Sequence, residues 1–341
     1  KDLKKTKIVF LAKDVKTDKN NNTILKENIK LLNLAYKISK NKTLVIMNQV
    51  PVNFTRNVKW QNDKVYHFVE TLVFGKAIKR ATKPERLIIG KSSPLKKIDK
   101  NLKNLLLLYK CPIIEMTYEE SELTKGYINT YLASQLATSN FLSELCSRYS
   151  ARWSVIFSAI GLDKRIGNKG YYTPGLGISG GNIERDLRTL AKLGKKFKIK
   201  NLLPEFLLGS SDYYKNFVLR IIKQNNMKKI CLLGLTYKEK TLSIKNAPQL
   251  NVIKYLKNKV MVHDFKVDKL IKQKTIKNLK LKFNTIEKCL KNCETLIIFH
   301  NLKTYKNIKF FKHPNIKNII DPFSLVKDTK IGKIRYFNLN N

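Results

Sequence analysis

Lys229-Ile230-Cys231-Leu232-Leu233-Gly234-Leu235 is an unbroken apolar run of strand length, punctuated by a glycine. Without polar alternation it reads as a strand buried on both faces, as in a parallel sheet covered by helices. Outward from it the pattern repeats. A loop leads to a helix over 248–256, then to a strand at Val260-Met261-Val262-His263-Asp264, a strand over 295–299, and Ile319-Ile320-Asp321 as a closing strand. Strands alternating with helices predict an α/β fold.

The opposite end shows the same grammar. Lys7-Ile8-Val9-Phe10-Leu11-Ala12 is a short strand, a helix is expected over 23–39, and Thr43-Leu44-Val45-Ile46-Met47 is a second strand stopped near Pro51. Strand-like tracts recur at 65–69 and 87–89, and the longest apolar run of the region, 105–108, is also of strand length. The middle of the chain is different. A proline-free helix is expected over 118–149, opened by a capping box of Thr117 and Glu120, and a second helix over 154–160 stops at Gly161. A glycine-rich loop at 174–181 precedes a helix with Ile183, Leu187, Leu190 and Leu193 on one face. The expected domains are 1–116, 117–215 and 216–341.

Lys and Arg number 68 against 25 Asp and Glu, a net charge of +43. A nucleic-acid binder gathers its basic residues with aromatics on one face. Here lysines run from end to end, so compositional drift is the better reading and nucleic acid ranks last among partners. No apolar run approaches the roughly 20 residues of a membrane span, so no membrane partner is expected. Five cysteines lack metal-ligand spacing, although Cys289 and Cys293 lie one helical turn apart. Buried free thiols in a reducing cytoplasm fit them best.

Gly175-Leu176-Gly177-Ile178-Ser179-Gly180 matches G-x-G-x-x-G literally. A dinucleotide loop must follow a strand and precede an acidic residue about 20 positions on. This one follows Tyr171-Tyr172-Thr173-Pro174, and position 200 is lysine, so it is not read as a phosphate loop. Its backbone can still approach a ligand closely. Lys125 and Asn129 share one face of the long helix, a pair able to bind an oxyanion or hold a water.

Three segments in order carry a specific resemblance: Glu122-Leu123-Thr124-Lys125-Gly126-Tyr127-Ile128-Asn129, Gly161-Leu162-Asp163-Lys164-Arg165-Ile166-Gly167, and Pro174 through Asp186. Together they resemble the UDP-glucose/GDP-mannose dehydrogenase family. Leu233-Gly234-Leu235-Thr236-Tyr237-Lys238, continuing to Ala247-Pro248, is similar to the start of the family's nucleotide-sugar domain. Upstream, Asn48-Gln49-Val50-Pro51 and Glu70-Thr71-Leu72-Val73-Phe74-Gly75 fit family segments of the cofactor domain. The resemblance implies two Rossmann-like parallel-sheet domains, the first incomplete, joined by a long central helix and a helical dimerisation region. It also implies NAD-dependent oxidation of the sugar C6 alcohol of UDP-glucose or a related nucleotide sugar, by a homodimer.

The same resemblance assigns roles. Lys125 would stabilise an oxyanion, Asn129 and Asp186 would position water and orient the lysine, and Glu70 would serve thioester hydrolysis. Tyr172, Gly177, Gly180, Lys238 and Lys245 would contact the nucleotide sugar, with lysine at 245 where arginine is usual. Gln49, in place of a threonine, and Phe74, in place of a second glutamate, fall on the cofactor side. The family's nucleophilic cysteine corresponds to Asn182, which could cap a helix but is no nucleophile. The family's phosphate loop would lie ahead of Lys1. The chain is therefore expected to be impaired in oxidation; the alternative is a non-catalytic binder of nucleotide sugars or a dimer partner.

Overall fold

In chain order the first strands and helices are β1 (Ile8–Leu11), β2 (Lys16–Thr17), β3 (Thr23–Ile24), α1 (Lys26–Ser39), β4 (Thr43–Ile46), β5 (Val65–Phe68), α2 (Ala77–Thr82), β6 (Leu87–Lys91), α3 (Lys100–Leu107) and β7 (Ile113–Thr117). The computed structural model describes all residues except 1–4, 19–22, 61–63, 73–76, 240, 258, 327–331 and 340–341. Phe74 therefore lies outside the described residues. The middle helices are α4 (Tyr118–Arg148), α5 (Trp153–Ile160), α6 (Asn182–Lys196), α7 (Leu203–Lys215) and α8 (Phe217–Gln224). The chain divides into two compact units, one of residues 1–130 and 185–200, the other of 131–184 and 201–341. The helical middle is shared between them.

In the first unit a five-stranded sheet runs in the order β1-β4-β5-β6-β7. Alternation along each strand sends side chains to opposite faces. Leu44 and Ile46 pack with Val9, Leu11, Leu32 and Val65, whereas Val45 packs with Tyr66, Leu87, Ile89 and Leu102. Both faces are thus covered, as the apolar strands require. The sheet is not wholly parallel: β5 and β6 pair antiparallel, with His67 opposite Gly90. The tract at 105–108 is helical rather than extended, because Asp99 caps α3 by accepting from the amides of Asn101 and Leu102. The Thr117–Glu120 box forms as its spacing predicts. The Thr117 amide donates to Glu120 Oε2 at 2.6 Å, and the Glu120 amide faces Thr117 Oγ1 at 3.4 Å.

The second unit holds β8 (Ile230–Leu233), α9 (Gln249–Tyr255), β9 (Met261–His263), β10 (Lys282–Phe283), β11 (Thr295–Ile298), β12 (Asn318–Ile320) and β13 (Arg335–Phe337). All pairings are parallel, in the order β10-β9-β8-β11-β12-β13. This is the doubly wound 3-2-1-4-5-6 order, which reverses direction between β8 and β11. Residues 319–321 do not close the sheet, since β13 follows; the three-residue Arg335-Tyr336-Phe337 tract is too short to carry a periodic strand signal. Cys231, Cys289 and Cys293 are buried on one face of this sheet, and all five cysteines are free.

Candidate active site

The first unit gathers four of the expected residues. Glu70 follows β5, Lys125 and Asn129 lie one turn apart on α4, and Asp186 lies on α6. Lys125 Nζ donates to the Glu70 carbonyl oxygen at 2.5 Å. The Glu70 carboxylate turns back to accept from the Leu72 amide, so it is the main chain of Glu70, not its side chain, that meets the lysine. Burial holds the Lys125 ammonium below its ordinary pKa, while the charges of Glu70 and Asp186 push it back up. Asn129 Nδ2 donates to Asp186 Oδ2 at 2.5 Å, and Arg185 Nε donates to Asp186 Oδ1 at 2.9 Å. Both carboxylate oxygens are therefore satisfied in a buried network.

Gln49 comes into the same neighbourhood. It lines a cavity of about 30 Å³ together with Pro51, Glu122, Gly126, Arg185 and Asp186. A water needs roughly 10–15 Å³ of such space, so the cavity can hold one beside Asp186. Glu122, at the start of the 122–129 segment, carries no spacing signal of its own. Its buried carboxylate accepts from the amides of Asn53 and Thr55, both at 2.7 Å, and so fixes the turn after β4. Burial raises its pKa, and these hydrogen bonds oppose the rise.

The second unit holds the other candidates. Tyr172 is stacked on Phe157, ring centroids 4.4 Å apart, and lines a cavity of about 400 Å³ with Arg152, Trp153 and Asn168. Its hydroxyl accepts from Gln135 Nε2 at 3.0 Å and donates to the Ile166 carbonyl at 3.1 Å. The ring, more than the hydroxyl, is what it can offer a ligand. Gly177 takes φ +70°, and a Cβ there would overlap the Ser211 carbonyl oxygen. No strand precedes this glycine-rich loop, which agrees with its rejection as a dinucleotide loop. It delivers the chain into α6, whose first residue is the exposed Asn182.

Lys238 and Lys245 lie in the loop that leaves β8 at the reversal of strand order, where open α/β sheets place their ligands. Lys238 is exposed; its carbonyl accepts from Thr236 Oγ1 and the Thr241 amide, which fold the loop on itself. Lys245 reaches the glycine loop: a Cβ on Gly181 would lie 2.9 Å from its Nζ. Gly180 donates its amide to the Lys245 carbonyl at 3.0 Å. An ammonium therefore stands over the residue preceding α6, where the helix dipole is positive too, a setting that favours an anionic ligand.

Two family models match this chain: the central domain of the UDP-glucose/GDP-mannose dehydrogenase family over residues 119–207 and the UDP-binding domain over 231–330. The chain belongs to this family. It is 26% identical to the UDP-glucose 6-dehydrogenase of Rickettsia prowazekii over 88% of the chain and 74% of that protein. Against the UDP-glucose 6-dehydrogenase of Campylobacter jejuni it is also 26% identical, over 72% of the chain and 62% of that protein's length. The fold is that of a UDP-glucose dehydrogenase from Pyrobaculum islandicum, with TM-score 0.82 at 21% identity over 99% of this chain and 81% of the other. A UDP-D-ManNAc dehydrogenase from Pyrococcus horikoshii gives TM-score 0.80 at 18% identity, covering 99% and 82%.

Family membership does not supply a dinucleotide cradle here. Among the described residues of the first unit, Gly90 lies in β6, Gly126 in α4 and Gly194 in α6. None stands at a strand-to-helix turn, where backbone amides would gather round a pyrophosphate. Among the described residues no helix is long and apolar enough to cross a membrane, and no cluster suits a metal.

Proposed function

We propose that this chain binds a nucleotide sugar, UDP-glucose or a relative of it, and is impaired in the family's oxidation of the sugar C6 alcohol. The observation that carries the reading is Asn182 at the first position of α6, exposed and following a glycine that Lys245 overlies. A thiolate at that position would attack an aldehyde carbon; an amide nitrogen has no free electron pair to do so. Within the second unit the surroundings are nevertheless suited to anionic groups: Lys245 supplies positive charge over the glycine loop, the loop that carries it also carries Lys238, and Tyr172 offers an aromatic face. The first unit, by itself, supplies a half-buried cation and an ordered carboxylate in Lys125, Asn129 and Asp186. Lysine at 245 keeps charge without the fork that arginine brings to a phosphate.

The test pairs two measurements on the full chain. Calorimetry with UDP-glucose is expected to give saturable binding that Lys245→Ala weakens and Lys245→Arg retains. Incubation with UDP-glucose and NAD is expected to give no NADH. Absence of binding at millimolar ligand overturns the reading of a binder, and turnover to the uronic acid overturns the reading of impairment.

A homodimer is supported by the second unit. A cavity of about 560 Å³ lies between α4 and α7, flanked by Phe141 and Phe206, which are 61% and 67% exposed. Such aromatics in water favour a partner surface. Phe141→Asp is expected to shift the sedimentation coefficient to that of a monomer; an unchanged value removes this face as the interface.

A further inference from the structure

One polar cluster in the second unit is not used by any role above. Glu184 is buried near the start of α6, and its Oε2 accepts from Asn246 Nδ2 at 2.7 Å. The same Nδ2 donates to the Gly180 carbonyl at 2.7 Å. Lys215, buried at the end of α7, donates to Glu184 Oε2 at 3.3 Å and also reaches Asp212 Oδ1 at 3.5 Å. Asn246 itself holds φ +53°, a left-handed conformation that asparagine tolerates better than most residues.

These contacts have a common consequence. Gly180 is gripped twice by the loop after β8: its amide by the Lys245 carbonyl, its carbonyl by the Asn246 side chain. The second grip requires the Asn246 amide group to point at Gly180, and the Glu184 carboxylate is what orients it. The carboxylate in turn is paired with the buried Lys215 ammonium at 3.3 Å.

We infer that Glu184 is a positioning residue, clipped through Asn246 to Gly180 and charge-paired with Lys215, that sets the glycine-rich loop 174–181 in register with the loop carrying Lys238 and Lys245. The two loops that would hold a nucleotide sugar move as one body because of this clip. The functional meaning rests on the nucleotide-sugar reading; the clip itself does not.

Hydrogen exchange on the full chain tests it. In Glu184→Ala and in Asn246→Ala, peptides from both 174–181 and 236–247 are expected to exchange roughly tenfold faster, the factor corresponding to one hydrogen bond to a charged group. Leu290→Ala, a cavity in the core that Leu290 shares with Cys289, Leu296 and Ile319, serves as a control for lost stability and is expected to leave the difference between these loops and the rest unchanged. Glu184→Gln should open both loops, because its amide faces the Lys215 ammonium, while Glu184→Gln with Lys215→Met should close them again. The UDP-glucose Kd should rise in step, by roughly tenfold for Asn246→Ala. Wild-type exchange rates in both alanine variants, or equal opening in the Leu290→Ala control, overturn the clip. Failure of the wild-type chain to bind UDP-glucose overturns the nucleotide-sugar reading alone, since the exchange comparison needs no ligand.

Discussion

Asn129 and Asp186 are joined by a 2.5 Å hydrogen bond between two buried side chains, 7% and 3% exposed, that are 57 residues apart in the chain. Arg185 occupies the other carboxylate oxygen. The carboxylate is therefore held by an amide and a guanidinium at once, and it brings an ordered negative charge to the neighbourhood of Lys125. A buried charge so placed is costly to strip of its partners.

Asp186→Ala leaves the Arg185 guanidinium buried without its counter-ion. The first unit should lose about 3–5 kcal/mol, the range for breaking one partner of a buried pair. Urea unfolding followed by Trp60 fluorescence, in a Trp153→Phe background, measures it. A loss under about 1 kcal/mol would show that Arg185 reaches solvent instead.

His67 sits on β5 with both ring nitrogens engaged, Nδ1 with Ser121 Oγ at 2.8 Å and Nε2 with the Asn48 carbonyl at 3.2 Å. Burial pulls its pKa from 6.5 down to about 4. The unfolded chain then takes up the proton first. Stability is complete above pH 6.5 and falls as pH drops toward 4, by about 3 kcal/mol for this group. His67→Gln should flatten that part of the pH profile of the first unit. An unaltered slope assigns the loss to other groups.

Gly177→Ala should destabilise the second unit, because the left-handed φ alone costs on the order of 1–3 kcal/mol and the Cβ must also displace the Ser211 carbonyl. Trp153 fluorescence during urea unfolding, with Trp60→Phe, reports the change. Gly175→Ala, whose Cβ meets nothing within 4 Å, is the matched variant and should be close to neutral. Equal effects at the two positions would contradict the geometry.

Asn182→Cys places a thiol on the first turn of α6 close to the Lys245 ammonium. Helix dipole and cation should both favour the thiolate, so its pKa should fall below the ordinary value of about 8.5. Alkylation by iodoacetamide against pH, read at residue 182 by mass spectrometry, gives the midpoint. Cys231, Cys289 and Cys293 are buried and should label slowly. A midpoint at or above the ordinary value would mean that this end of α6 offers no activation.

The sequence determined the fold to a useful depth. Apolar runs such as Ile230-Cys231-Leu232-Leu233 can only be satisfied between two covering layers, and the Thr117–Glu120 box marks the start of α4 through chemistry local to four residues. The glycine loop was legible too, since 174–181 lacks the preceding strand that a dinucleotide site requires. Even the chemical identity of residue 182 was decided by sequence alone: an asparagine supplies no thiolate in any fold.

Tertiary structure decided what depends on distant partners. The antiparallel pairing of β5 with β6 arises from chain routing, not from the residues of either strand. The 105–108 leucines went to helix because Asp99 capped them, and β13 formed because the edge strand β12 was there to pair in parallel with a tract of only three residues. The Glu122 carboxylate on the Asn53 and Thr55 amides, and the Glu184–Asn246–Gly180 clip, join residues more than 60 positions apart. Periodicity reports which face a side chain lies on. Only the closed fold sets which buried polar atom it must satisfy, because that demand appears when water has been removed from both.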